Sequence, residues 1–243
     1  MPKIVISIKY MKNKIKLQFV IGAVILCLFA NNIFAQSSST DTLEKGNSYF
    51  EANLWTATQS HPRGGMQIYG GRFGYGLTKN VEIGVGGSFS NPNDPEYPPE
   101  IQPSVKWKFY ENEKHRVKAS GGVLAFIPIA KRTGTDSFAM VYANVSKDFE
   151  KLKGARFTFG GYYLVGRDKN FGSKKGWNFV YEQPLSEKVS FSAQWVTGKN
   201  RFGYLTPGFS FAMPKKSSLF VGYSIGNYDY DNHGPYVSYS FYR

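Results

Sequence analysis

A two-residue rhythm runs through most of this chain and constrains its fold more than any other feature. In Leu219–Gly226 the large residues Leu219, Val221, Tyr223 and Ile225 alternate with Phe220, Gly222, Ser224 and Gly226. Ile101, Val105, Trp107 and Phe109 oppose Gln102, Ser104, Lys106 and Lys108 in the same way, and Val237, Tyr239 and Phe241 oppose Ser238 and Ser240. Side chains on an extended strand point alternately to opposite faces, so each run has one apolar face and one small or polar face. The runs reach about ten residues, nearer the ~9–11 of a membrane-spanning strand than the ~5–6 of an ordinary one.

Turn residues set the order of the strands. Short lysine-bearing turns occur at Thr78–Asn80, Asn112–Lys114, Lys151–Gly154, Ser186–Lys188 and Pro214–Lys216. Looser segments fall between them, at Ser60–Gly64, Asn91–Pro99, Lys131–Thr135, Arg167–Lys175, Gly198–Arg201 and Asn227–Gly234. Tight turns interleaved with longer loops predict an all-β chain: a transmembrane antiparallel up-and-down β-barrel of about 12 strands, with both termini on the tight-turn side. Composition agrees. Aromatics are 17% and glycines number 26, while mean hydropathy is only −0.35. A barrel that turns polar residues inward keeps its average hydropathy low. A soluble β-sandwich also has short alternating strands, but it would cover its outer face with charge. Aromatics near the turns, including Phe109, Tyr110, Phe149, Trp177, Phe202, Tyr204, Phe211, Phe241 and Tyr242, are expected to form girdles at the membrane interfaces.

The N-terminus predicts export. Lys3, Lys9, Lys12, Lys14 and Lys16 precede the apolar run Phe19–Ala30, and Ile33-Phe34-Ala35 supplies a cleavage site. The expected organisation is a signal peptide over 1–35, a short periplasmic tail over 36–47 and the barrel over 48–243. Removing the five leader lysines takes the formal charge from +13 to +8. The remaining basic residues are scattered rather than clustered, so nucleic acid is not an expected partner. The single cysteine, Cys27, lies in the leader, which excludes disulfides and cysteine chemistry from the mature chain. The expected location is the cell outer membrane. The expected partners are its lipid and lipopolysaccharide, the barrel-assembly machinery and small solutes.

Catalytic residue types are sparse. His61, His115 and His233 have no Ser partner at a spacing that would place a hydroxyl beside a base. Asp229, Asp231 and Asn232 lack the spacing of a calcium loop. No enzyme activity, metal or cofactor is expected. The rhythm instead turns Arg72, Glu82, Lys106, Lys108, Lys118, Asp148, Arg156 and Glu182 toward the lumen, because an Arg or Lys on the lipid face at midplane costs ~2–4 kcal/mol. These eight are the candidate lumen-lining residues. A pore whose positive residues favour anionic or polar solutes follows from them, unless opposite charges pair and close the lumen. Passive passage of small solutes through a partly charged lumen is the expected function. A closed structural or surface-interaction barrel and a barrel lipid hydrolase are the alternatives.

The stretch Phe73-Gly-Tyr-Gly-Leu-Thr-Lys-Asn-Val-Glu-Ile-Gly-Val-Gly86 resembles the recurrent hairpin of outer-membrane transporters of the MetA-pathway phenol-degradation type. Pro184–Phe191 repeats the idea. The resemblance implies a barrel that moves small, often hydrophobic or aromatic compounds. Two departures favour a more general solute pore: the inward face is charged, and no extended N-terminal segment is expected to plug the lumen.

Overall fold

The computed structural model describes residues 39–57, 65–91, 98–129, 136–166, 172–227 and 233–243. Its strands are β1 (Ser48–Ala57), β2 (Met66–Thr78), β3 (Val81–Asn91), β4 (Glu100–Asn112), β5 (Val117–Pro128) and β6 (Phe138–Phe149). Then come β7 (Ala155–Gly166), β8 (Lys175–Pro184), β9 (Val189–Val196), β10 (Tyr204–Met213), β11 (Ser217–Gly226) and β12 (Gly234–Tyr242). Each strand pairs antiparallel with its chain neighbours, and β1 pairs with β12, so the sheet closes into a barrel without a free edge. In lipid this closure is obligatory, because an open edge would leave backbone N–H and C=O groups without partners. All five tight turns form at one end. They place Arg116, Lys153, Lys215 and Lys216 at positive φ, between 50° and 61°.

The alternation sorts the two faces as the sequence predicts. Val85, Val105, Trp107, Val141, Phe159, Trp177 and Val221 point outward and are 40% exposed or more. Soluble proteins do not carry an apolar surface of that extent, and here it forms the belt that meets acyl chains. Along β4 the burial alternates strictly from Glu100 to Trp107. A register shift between Lys108 and Tyr110 then breaks the period, so that Phe109 and Tyr110 both face outward.

Two expectations are corrected here. Phe202 and Tyr204, assigned to a girdle, are 1% and 6% exposed and lie inside the barrel. The β9–β10 loop folds into the lumen, where Phe202 finds aromatic partners. No N-terminal segment is expected to plug the lumen, yet the chain, described from Ser39 onward, enters the barrel mouth. Thr40 is fully buried against Ser146. The leader assigned to residues 1–35 lies outside the described residues, as do His61, Asp229, Asp231 and Asn232.

Candidate functional site

The lumen of this barrel has two unlike halves. Strands β1 to β8 each contribute one charged side chain to a belt near the tight-turn end: Glu51, Arg72, Glu82, Lys106, Lys118, Asp148, Arg156 and Glu182. Arg72, Glu82 and Lys106 are buried, and Lys118, Asp148, Arg156 and Glu182 are half-buried. Strand register sets the pairing. Glu51 stands directly opposite Arg72, Glu82 opposite Lys106, and Arg156 opposite both Asp148 and Glu182. The Lys106 ammonium lies 3.9 Å from Glu82, and Arg156 Nε donates to Asp148 at 2.5 Å. Arg72 donates to the Ser104 hydroxyl at 2.6 Å. Lys108 lies outside this belt, half-buried toward the turn, and pairs with Glu111 at 2.6 Å. Opposite charges on facing strands stabilise each other, so the belt acts first as a brace between strands.

Signs alternate around the belt except where Lys106 on β4 is followed by Lys118 on β5. The N-terminal segment fills that gap. Lys106 Nζ donates to the Asp41 carbonyl at 2.6 Å, Lys118 Nζ donates to Asp41 Oδ1 at 2.6 Å, and Arg156 donates to Oδ2 at 2.5 Å. The Leu43 amide donates to Glu82 at 3.1 Å. Burial raises the Asp41 pKa, but the Lys118 hydrogen bond and the Arg156 charge outweigh it and hold the carboxyl at about 2. Asp41 is therefore ionised across the physiological range.

Strands β9 to β12 complete the other half and contain no Asp, Glu, Lys or Arg. A cavity of about 320 Å³ lies against them, lined by hydroxyls such as Ser192, Thr206, Ser224 and Ser238. Glu182 and Glu51, the two ends of the charged belt, border it on either side, with Ser39 of the inserted segment also on its wall. The loop end is apolar. Leu124, Phe126, Phe138, Met140, Tyr142 and Leu164 form one buried cluster with Phe202. Trp55, Met66, Ile68, Tyr204 and Tyr236 form a second, packed by Phe220. Arg201 lies 4.8–5.0 Å from the ring centres of Phe126, Phe138 and Phe202 and pairs with buried Glu100 at 2.9 Å.

The structure thus gathers Arg72, Glu82, Lys106, Lys118, Asp148, Arg156 and Glu182 into one band. Sequence reasoning missed Glu51, Asp41, Arg201 and Glu100. A signal for Asp41 was present: the inward set held more bases than acids, and a buried cation needs a counter-charge. Of the histidines, His115 sits in the β4–β5 turn with its amide bonded to Asn112, and the His233 ring lies 6.0 Å from that of Tyr223. Among the described residues no cluster of three or more His, Cys, Asp or Glu could hold a metal.

A closed twelve-strand antiparallel sheet with an apolar outer belt and a polar lumen is the architecture of an outer-membrane β-barrel. The fold is similar to that of the COG4313 outer membrane channel from Pseudomonas putida F1, at 11% identity and a TM-score of 0.53, over 88% of this chain and 99% of that one. It is also similar to the NanC porin, at 11% identity and a TM-score of 0.52, over 80% and 97% of the two chains. At such identity the likeness is one of fold, which is the level at which the resemblance of the Phe73–Gly86 hairpin is met. No protein-family model matches the sequence, and neither does any curated protein.

Proposed function

We propose that this chain is a passive, non-catalytic outer-membrane channel for small polar solutes, and that the hydroxyl-lined side of the lumen is the path. The cavity of about 320 Å³ beside β9 to β12 carries this reading. Eight-stranded barrels are filled by their own side chains and sixteen-stranded ones hold open channels, so twelve strands leave room for one filled half and one open half. Serine and threonine hydroxyls both donate and accept hydrogen bonds, and they replace solute hydration without the tight binding that would stall passage. The basic residues expected to attract anions are each paired with an acid or with the inserted segment, so the intact path carries no anion preference. Outer-membrane lipid, lipopolysaccharide and the barrel-assembly machinery are the partners this reading implies.

The experiment is conductance of the refolded protein in planar bilayers. Wild type should give discrete single-channel steps. Ser238→Trp, which fills the cavity, should lower them several-fold, while Val221→Trp on the lipid face should not. A closed structural barrel is the second reading, favoured by the two apolar clusters at the loop end, and it requires that no steps be seen at all.

A further inference from the structure

The place where the charged belt breaks its alternation is a built site with a bound group already in it. Lys106, Lys118 and Arg156 converge from β4, β5 and β7, and the Lys106 side chain is only 4% exposed. The occupant is a carboxylate carried by the chain itself, held on both oxygens and, through its carbonyl, by a third cation. We infer that these three residues form a binding site for a small carboxylate-bearing solute, which the protein's own Asp41 occupies as a tethered stand-in. This rests on the reading of the lumen as a passage, and extends it by naming a solute class that the intact path does not favour.

Physical reasons converge on a carboxylate. Three cations at close range repel one another and lose hydration; Glu82, Glu111 and Asp148 each offset one of them, and an anion shared by all three offsets their mutual repulsion. Lys118 and Arg156 engage separate oxygens of one planar group, the geometry in which a carboxylate satisfies two donors. Asp41 reaches the site from a segment anchored close by. Gly46 N donates to Gly76 O and Gly76 N to Asn47 O, each at 2.9 Å. A short tether gives its end a local concentration on the order of millimolar, so a free monocarboxylate competes only when it exceeds that level. A solute that displaces Asp41 also frees the segment around it, from Ser39 to Leu43, from the barrel mouth, which widens the passage and exposes its cations. Binding and opening are then one event.

The test uses acetate as the probe. Detergent-solubilised protein lacking residues 39–45 should bind acetate by calorimetry, wild type should bind it roughly tenfold or more weakly, and Lys118→Ala in the deletion background should abolish binding. If the deletion impairs folding, Asp41→Asn, which keeps the shape and removes the charge, should show the same ordering. In bilayers, either tail variant should raise conductance and shift the reversal potential toward anions in a KCl gradient. Equal acetate binding by wild type and both tail variants, or none in any of them, would overturn the inference. So would tail variants whose conductance and reversal potential match those of a conducting wild type. Absence of current in every protein would sink the passage reading alone, because the calorimetric ordering does not depend on current.

Discussion

One carboxylate, Asp41, and one guanidinium, Arg201, organise opposite ends of the same lumen. Asp41 closes the charge balance at the tight-turn mouth, and Arg201 ties the inward loop to Glu100 across the barrel while lying against three phenyl rings. The Glu100 side chain is 2% exposed, so removing its cation leaves a charge with little water around it. Arg201→Ala should therefore destabilise the barrel by about 3 kcal/mol, read from urea unfolding into vesicles. Arg201→Met with Glu100→Gln should recover part of the loss, and a double-mutant cycle measures the coupling. The excess of inward bases called for an acid, but neither Asp41 nor Arg201 could be picked out from the sequence. Both lie outside the strands, where no period fixes the direction of a side chain.

Among the elements, β6 and β7 show how register and side-chain size combine. They pair without interruption from Phe138↔Gly166 to Phe149↔Ala155, which brings Gly160 opposite Asn144. A Cβ on Gly160 would run into the Asn144 amide and the Ala143 carbonyl. Backbone cannot retreat from that contact without disturbing the ladder. Gly160→Ala should cost about 1–3 kcal/mol, seen as a lower temperature for the shift between folded and unfolded bands on gels. The alternation along β7 turns this glycine inward but carries no measure of the crowding there. The same strands explain the missed apolar clusters. At the loop ends of β5 to β7 both faces are apolar, with Leu124, Phe126, Met140 and Leu164 inside and Val123, Ile127, Val141 and Val165 outside. Where both faces are greasy, alternation carries no information about which one is the core.

For the whole molecule, the membrane is the solvent that decides the outer surface. Val105 is outward and 49% exposed near the middle of β4, while its neighbour Lys106 is buried inside. Val105→Arg should destabilise the inserted barrel by ~2–4 kcal/mol, measured by the same vesicle unfolding, because a guanidinium at that depth has no water to meet. The two-residue period, punctuated by turn residues, determined the strands, the tight turns, the outward belt and the inward direction of every belt charge but Glu51. It could do so because the preference of each position for lipid or lumen depends only on the parity of its place in a strand. The tertiary structure alone decided which charges meet, that the N-terminal segment enters the mouth, that the β9–β10 loop folds inward, and that a hydroxyl-lined cavity lies against β9 to β12. Those outcomes depend on distances across the barrel between residues tens to more than a hundred positions apart, which closure of the sheet sets and no local pattern encodes.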